Sequence, residues 1–366
     1  MILKHITEAD VEKIALGAAV LGTGGGGDPH IGTLIARRLI REHGPVSVKA
    51  LSEITDEDFV VPVGMIGAPS VAVEKIMAEE ELAAVLRLLE TACGRKATAI
   101  MPIEIGGGNS LVPVACAAIT GLPIVDADAM GRAFPEAQMV TFHLAGYGPG
   151  YTSMVDSQGN AVLTKPVDGA WSEQLARALT IPMGGSATMA DYAYGGDVVR
   201  ECAIPATLSR ARDIGALLLD PAQDGIDPAT RLMDELGAYM LFEGKIVDIE
   251  RVFDGGFTKG HATLEGLGSD KGDRFELSFQ NEMLLASRNG RLAAVTPDLI
   301  SVLDSVTGRP ITTETLKYGA RVHVIGMACH EKWRTEKGLE TAGPAYFGYP
   351  VEFVPIEELS REDLHA

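Results

Sequence analysis

The sequence predicts an α/β amino-terminal domain, a layered sheet with helices, followed by a mainly β, barrel-like carboxy-terminal domain. Short buried strands alternate with helical patterns up to about residue 165, whereas beyond Gly244 the pattern changes to short alternating runs separated by turns. A chain of 366 residues also exceeds one ordinary core. We therefore expect an α/β domain over residues 1–168, a mainly helical connecting region over 169–240 and a β-rich domain over 241–366.

The α/β domain begins with two predicted helices joined by a glycine turn. Thr7 and Asp10 have the spacing of a capping box, and apolar residues over 11–19 repeat with a helical period. After the turn, Asp28 and Pro29 suit an N-cap and a first helical residue. Dinucleotide and Walker loops lie between a strand and a helix, and this turn also lacks the Walker lysine. Both nucleotide-binding motifs are therefore excluded here.

Three short strands and two helices complete the predicted α/β domain. Buried apolar runs predict strands at 59–63, 97–101 and 123–125, and helical patterns cover 80–92 and 111–119. Such alternation is typical of a sheet covered by helices. Because ligands bind beyond the carboxyl ends of strands in these sheets, the loops that follow the strands are the places to expect a site.

The remaining chain changes from helical to β patterns. Residues 171–237 are mainly helical, most clearly at 205–219 and 227–236, and a glycine-rich piece covers 183–197. Beyond it, alternating runs bounded by glycine turns predict a β domain that resembles a small barrel. These runs cover residues 245–252, 274–278, 283–287 and 321–325.

Composition argues against two classes of partner. The chain has 50 acidic and 31 basic residues, and its net charge of -19 would repel nucleic acid and an anionic membrane surface. The longest apolar stretch, 111–125, is broken by proline and glycine and is too short to span a membrane. The first residues lack a signal-peptide core, and the four cysteines are too scattered for a disulfide or zinc motif. We therefore expect a cytoplasmic protein with free thiols and a small-molecule substrate.

Two glycine-rich turns, at residues 22–30 and 104–109, predict where that small molecule binds. Glycine allows a backbone to approach a ligand closely and to direct its N–H groups inward. Arg132 either pairs with nearby acids or clamps a substrate carboxylate, and Asn109 either caps the next helix or binds the ligand. The candidate ligand-binding residues are Gly24, Gly25, Gly26, Gly27, Gly106, Gly107, Gly108, Asn109 and Arg132.

Three acids are the candidate catalytic residues. Glu104 follows one predicted strand, and Asp126 and Asp128 follow another, two positions apart, so that both point to the same side of an extended chain. If the three converge in one crevice, they can hold a divalent metal, or one of them can serve as a general base. The alternative is that Asp126 and Asp128 cap the next turn and face water. The histidines are scattered and form no metal-binding pair.

Several spaced segments together resemble the S-methyl thiohydantoin desulfurase family, over nearly the whole chain. The segments are 24–29, 102–107, 125–136, 333–335, 343–344 and 347–349. The resemblance implies an α/β domain followed by a β-rich one. For the characterised branch of the family, it also implies removal of sulfur from a thiohydantoin intermediate of ergothioneine breakdown. Water would add to an amidine-like ring carbon and a thiol would leave, which requires a base, hydrogen-bond donors and an acid.

Our hypothesis from the residues assigns each of these roles. Asp126 or Asp128 would activate water, directly or through a metal, while Glu104 transfers protons and Arg132 holds a substrate carboxylate. Backbone N–H groups of the two glycine turns would stabilise developing charge. Single substitutions of Asp126 or Asp128 by asparagine are then expected to reduce turnover heavily with the fold intact.

Two rival functions belong to other classes. A non-catalytic, ligand-binding subunit of a hydantoinase or oxoprolinase system would co-purify with a large enzyme subunit and show no turnover alone. An ATP-using enzyme is disfavoured because the phosphate-loop lysine is missing. The β domain would either close over the site or hold the subunits of a homo-oligomer together.

Overall fold

Two β-sheets organise the residues that the computed structural model describes, which are 3–67, 71, 75–219 and 228–363. In these residues, ten strands form a mixed sheet with helices packed against it, and eight later strands form an antiparallel sheet. The predicted α/β amino-terminal part and β-rich carboxy-terminal part are therefore confirmed.

The first sheet has a parallel centre and antiparallel edges. Its main path runs β1-β2-β5-β4-β3-β8-β6-β7, while β9 pairs with β3 and β10 with β5. Strands β2, β5, β4 and β3 are parallel, and β8 lies antiparallel beside β3. Strand β3 therefore lies between β4 and β8. The strands are β1 (His5–Ile6), β2 (Val46–Ala50), β3 (Phe59–Gly67), β4 (Ala99–Pro102), β5 (Ile124–Asp128), β6 (Thr152–Val155), β7 (Ala161–Thr164), β8 (Ser186–Ala190), β9 (Tyr194–Gly195) and β10 (Ile204–Pro205).

The helices before and after the first glycine turn form as the capping residues predict. Thr7 and Asp10 make the capping box of the first helix, and the Asp28 carboxylate accepts the N–H of His30 at the start of the second. The described helices are α1 (Glu8–Leu21), α2 (Pro29–His43), α3 (Glu79–Cys93), α4 (Leu111–Thr120), α5 (Thr141–Leu144), α6 (Gly169–Thr180), α7 (Gly196–Cys202), α8 (Thr207–Leu219), α9 (Pro228–Leu236), α10 (Glu336–Ala342) and α11 (Ile356–Asp363). Short 3₁₀ turns cover 51–53, 107–110, 268–270, 313–315 and 331–334.

The segment between the two predicted domains supplies strands as well as helices. It contains α6 to α9, and it also contributes β8, β9 and β10 to the first sheet. All five residues of β8 are buried, because this strand is covered on both faces. The segment therefore forms part of the sheet that carries the cavity described below.

The second sheet is antiparallel and open. Its order is β15-β14-β13-β12-β11-β18-β16-β17, and within the described residues β15 and β17 do not pair to close a barrel. The edge strand β17 has two residues and contains Pro310, which lacks the N–H that a further ladder needs. The strands are β11 (Tyr239–Asp254), β12 (Phe257–Gly266), β13 (Arg274–Gln280), β14 (Glu282–Arg288), β15 (Arg291–Val295), β16 (Leu299–Asp304), β17 (Pro310–Ile311) and β18 (Arg321–Met327).

The second sheet contacts the first glycine turn directly. The N–H of Met283 donates to the carbonyl of Thr23 at 2.7 Å, and the N–H of Thr313 donates to the carbonyl of Gly24 at 2.9 Å. One hydrophobic cluster also joins residues of the first sheet with Leu299 of the second. These contacts place the start of β14 beside the glycine turn.

No helix in the described part of the chain is long and apolar enough to cross a membrane.

Candidate functional site

A cavity lies where the two glycine turns, strands β3 and β8, and the start of β14 meet. Its wall is mostly apolar, with carboxyl groups at a few places, which is the usual composition of a small-molecule site. The apolar wall consists of Ile31, Ile35, Met65, Ile66, Met77, Ile103, Val112, Met130, Phe134 and Met189. The acids that line the cavity are Asp28, Glu104, Glu136, Glu173, Asp191 and Glu282.

The two predicted glycine turns pack against each other on one side of the cavity. The N–H groups of Gly108 and Asn109 donate to the carbonyls of Gly27 and Gly26, at 2.9 and 3.1 Å. At Gly26, with φ at +72°, a Cβ would lie only 2.3 Å from the carbonyl oxygen of Gly106. These two N–H groups therefore bind backbone and not a ligand. Of the predicted glycines, Gly26, Gly27 and Gly108 line the cavity, whereas Gly24, Gly25, Gly106 and Gly107 are not among the described lining residues.

Glu104 is the predicted catalytic acid that lines the cavity. Its side chain is buried, and the Nδ2 group of Asn109 donates to its Oε1 atom. The other oxygen, Oε2, has no hydrogen-bond partner among the described residues. Burial raises the pKa of Glu104 to about 8, although the hydrogen bond from Asn109 opposes the rise. Glu104 is therefore mostly a carboxylic acid at neutral pH.

Asn109 positions Glu104 and does not cap the following helix. Its Oδ1 atom accepts the N–H of Met65 at 2.7 Å, and its Nδ2 group donates to the carbonyl of Met65 at 3.2 Å. These two contacts to β3 fix which end of the amide faces Glu104. The helix that follows has Ser110 as its N-cap residue.

Glu282, which the sequence patterns do not indicate, lies on the cavity wall near Glu104. It is 3% exposed, and its Oε2 atom has no hydrogen-bond partner in the described chain. Burial raises its pKa well above the usual range, the Glu104 charge raises it further, and the Arg132 charge lowers it. A Cβ at Gly25 would lie 1.9 Å from the Glu282 Oε1 atom, so the missing side chain there makes room for this carboxyl group.

Asp128 lies behind the cavity and shapes the loop that carries Glu104. Its carboxylate accepts the N–H groups of Ile105 at 2.9 Å, Met130 at 3.1 Å and Gly131 at 2.8 Å. Asp128 is fully buried, which raises its pKa to about 7, while these hydrogen bonds lower it. The structure brings Asp128 close to Glu104 but does not place it on the described wall of the cavity.

Asp126 binds the first turn of α8 instead of lining the cavity. Its Oδ1 atom accepts the N–H of Ser209 at 3.0 Å, and its Oδ2 atom accepts the Ser209 hydroxyl at 2.5 Å. The Asp126 carbonyl also accepts the N–H of Ala206. Asp126 is therefore buried against a helix distant in sequence and does not cap the next turn facing water, and its role as a base stays a prediction.

The substitution Asp126→Asn separates the two roles. We expect it to cost about 1 kcal/mol of stability, because asparagine keeps one acceptor at the helix start, and to leave turnover close to that of the wild type. Chemical denaturation and steady-state kinetics on the same preparation measure both quantities. A heavy loss of turnover with unchanged stability would instead support Asp126 as the base.

Arg132 is fully buried and is bound to protein acceptors. Its guanidinium group donates to the carbonyls of Pro297 at 2.6 Å and Asp298 at 2.9 Å, and to the Thr23 hydroxyl at 2.9 Å. Arg132 also donates to the carbonyl of Ala133 and is not among the described lining residues. It therefore joins the first glycine turn to the loop between β15 and β16. Burial lowers the pKa of Arg132 to about 10, so it remains a cation at neutral pH.

Three further acids of the wall already have partners. Asp28 accepts the N–H of His30, Glu136 accepts the Tyr346 hydroxyl, and Glu173 binds Arg177. Asp191, which the sequence patterns also do not indicate, differs from them because its Oδ2 atom has no hydrogen-bond partner in the described residues. Burial raises the pKa of Asp191 to about 8.

The buried acids predict how stability changes with pH. Glu104 and Asp191 keep their protons in the folded state up to about pH 8, whereas unfolded carboxyl groups release them near pH 4. Between these values the folded state binds more protons than the unfolded state, so the free energy of unfolding should fall as the pH rises from about 5 to about 8. Chemical denaturation across this range measures the decline. In the Asp191→Asn variant, the decline in the free energy of unfolding should be smaller by roughly 2 kcal/mol. An unchanged decline would contradict the claim that burial raises the pKa of Asp191.

The described residues contain no cluster of side chains that is arranged to bind a metal ion. No group of three or more histidine, cysteine, aspartate or glutamate side chains is arranged to hold a metal ion there. The Arg132 cation interacts electrostatically with both Glu104 and Glu282, which disfavours a second cation between those two acids. The four cysteines are free thiols.

Comparisons with known proteins cover nearly the whole chain. A family model described as "S-Me-THD-like, N-terminal domain" matches residues 9–166, and one described as "S-Me-THD-like, C-terminal domain" matches residues 167–356. A crystal structure of a protein from Chromobacterium violaceum has a TM-score of 0.78 and 24% sequence identity, and the match covers 97% of this chain and 100% of that chain. That likeness shows a shared fold. No curated protein matches the chain.

Proposed function

Because this chain belongs to the S-Me-THD-like family, we propose that it hydrolyses the carbon–sulfur bond of a thiohydantoin-like five-membered ring, or a carbon–nitrogen bond of a hydantoin-like one. The observation that carries the proposal is a buried pair of carboxyl groups, Glu104 and Glu282, on the wall of a largely apolar cavity. A cavity with an apolar wall and a few convergent carboxyl groups suits a small cyclic substrate whose polar atoms meet those groups. The resemblance to the S-methyl thiohydantoin desulfurases supports the class of reaction.

The carboxyl pair can hold an acid and a base at the same time. Glu104 and Glu282 are both buried, the charge of Glu104 raises the pKa of Glu282, and the charge of Asp128 raises the pKa of Glu104. Such a pair does not lose both protons readily, and its two protonation steps belong to the pair as a whole. The Arg132 charge favours the ionised form of both members, but the effect of burial is larger. The pair therefore holds both protons at neutral pH and carries one carboxylic acid and one carboxylate once the pH rises through about 8.

The reaction needs both forms of the pair. The carboxylate removes a proton from water as the water oxygen bonds to the ring carbon that carries sulfur. The carboxylic acid donates a hydrogen bond to the ring and stabilises the negative charge that develops in the tetrahedral species. The carbon–sulfur bond then breaks, the sulfur leaves with its electron pair, and a proton from the pair converts it to a thiol. The pair also gives a proton to the ring nitrogen that received the carbon–nitrogen π electrons and takes the proton of the added hydroxyl group, so the ring carbon keeps the water oxygen as a carbonyl group.

The surroundings of the pair favour this chemistry. Asn109 holds Oε1 of Glu104 through its contacts with Met65, so Oε2 is the oxygen left to meet a substrate. Apolar side chains such as Phe134 and Met130 line the same cavity and limit water around the pair. A hydrogen bond in a medium of low polarity is stronger than in water, which increases the effect of a positioned acid.

Turnover by the isolated chain tests the proposal. The purified protein is incubated with an S-methyl thiohydantoin, and the released thiol and the hydantoin product are quantified separately. We expect equal amounts of the two products. If the chain binds the ring but releases no thiol unless a larger enzyme subunit is added, the alternative of a non-catalytic accessory subunit is supported instead.

A further inference from the structure

Asp191 is a buried acid of the cavity that the proposed reaction does not use. It directly follows strand β8 and is 2% exposed, and the Oδ2 atom has no hydrogen-bond partner among the described residues. Because β8 and β4 flank β3, Asp191 and Glu104 lie on opposite sides of that strand in the wall of one cavity. A buried carboxyl group without a partner is costly unless a ligand supplies one.

The described cations of the cavity do not compensate Asp191. The Lys75 Nζ group donates to the carbonyls of Met183 at 2.7 Å and Ser186 at 2.8 Å, and Arg177 binds Glu173 at 2.7 Å. Burial is the cause of the raised pKa of Asp191, which stays protonated near neutral pH. The group therefore presents one O–H donor and one carbonyl acceptor, side by side.

We propose that Asp191 binds the ring amide edge of the substrate, where a ring N–H and the adjoining carbonyl point in the same direction. The Asp191 hydroxyl donates to the ring carbonyl, and the Asp191 carbonyl oxygen accepts the ring N–H. This inference rests on the proposed function, because it concerns the substrate of the same cavity. If it is correct, the cavity selects substrates that contain a cyclic amide.

The geometry of amides explains this selectivity. A five-membered ring forces its amide into the cis form, so that the N–H and the C=O lie on one edge and fit a carboxylic acid with two parallel hydrogen bonds. An open-chain secondary amide is almost always trans, with its N–H and C=O pointing in opposite directions. Such a molecule can use only one side of the Asp191 carboxyl group. Peptide-like ligands are therefore rejected.

Two substitutions of Asp191 test the proposal through ligand binding. Asp191→Asn keeps one donor and one acceptor side by side, whereas Asp191→Leu keeps a similar shape and removes both. Isothermal calorimetry measures the binding of hydantoin to the wild type and both variants near neutral pH. The matched control ligand is 1,3-dimethylhydantoin, which has no ring N–H. Unfolding by denaturant confirms that each variant is folded.

The expected result is that Asp191→Asn binds hydantoin nearly as well as the wild type, whereas Asp191→Leu binds it roughly tenfold to a hundredfold more weakly. Binding of 1,3-dimethylhydantoin should be equally weak in all three proteins. Equal hydantoin binding by the wild type and Asp191→Leu overturns the proposal. Loss of binding in Asp191→Asn also overturns it, because an ionised Asp191 that only accepts the ring N–H would then be the better description.

The binding readout separates this inference from the proposed function. If hydantoin binding depends on Asp191 but no thiol is released from an S-methyl thiohydantoin, the ring-binding role stands and the hydrolytic function fails. If thiol is released and Asp191→Leu binds hydantoin like the wild type, the hydrolytic function stands and the ring-binding role fails.

Discussion

Replacing Glu282 by glutamine is expected to lower kcat by roughly 10²–10⁴-fold, the range that general acid–base groups contribute. Glutamine has the same shape as glutamate but can neither accept nor release a proton near neutral pH. The pair with Glu104 would then lack its second titrating group, and the substrate would still fit the cavity. KM should therefore change little. Steady-state kinetics of thiol release measures both parameters.

The matched control for this variant is Glu276→Gln on the neighbouring strand β13. Glu276 is exposed and pairs with Arg274 at 3.2 Å, so its substitution should leave kcat unchanged. Glu104→Gln should resemble Glu282→Gln in its loss of kcat. In the wild type, turnover should also rise as the pH rises through about 8, because the pair loses its first proton there and gains the carboxylate that acts as the base. Wild-type kcat in both pair variants would refute the catalytic role of the pair.

Replacing Arg132 by methionine is expected to lower the free energy of unfolding by about 3–5 kcal/mol, the usual cost of removing one side of a buried charged network. The variant would leave the Thr23 hydroxyl and the carbonyls of Pro297 and Asp298 without their donor. It would also remove the positive charge beside Glu104 and Glu282. Denaturant unfolding of the purified variant measures the loss.

The same variant distinguishes this structural role from the substrate clamp that the sequence suggested for Arg132. If Arg132 clamps the substrate, the variant should have a raised KM and unchanged stability. If Arg132 instead joins the first glycine turn to the loop between β15 and β16, the variant should lose stability. Arg309→Met is the matched control, because Arg309 is exposed and its contact with Glu12 is 3.8 Å long. Its stability should stay within about 0.5 kcal/mol of the wild type. If Arg132→Met is equally stable, the structural role is wrong.

Local patterns in the sequence determined the elements of this protein. The helices around the first glycine turn follow from the capping box of Thr7 and from the Asp28–Pro29 pair, since caps and helical period act within a few residues. The position of Glu104 after a strand of the α/β sheet was predictable for the same reason. The sequence did not predict that the second sheet stays open, because the closure of a barrel depends on how distant edge strands meet.

Only the tertiary structure decided which side chains share the cavity. Asp126 and Asp128 lie in the same strand, β5, yet one binds the start of α8 and the other the loops around Glu104, because each faces a different neighbour after packing. Glu282 and Asp191 lie far from Glu104 in the sequence and carry no periodic signal. Sheet packing brings them to the same cavity, where burial removes water and thereby creates the raised pKa values. The sequence thus determined the local elements, and long-range packing determined the chemistry.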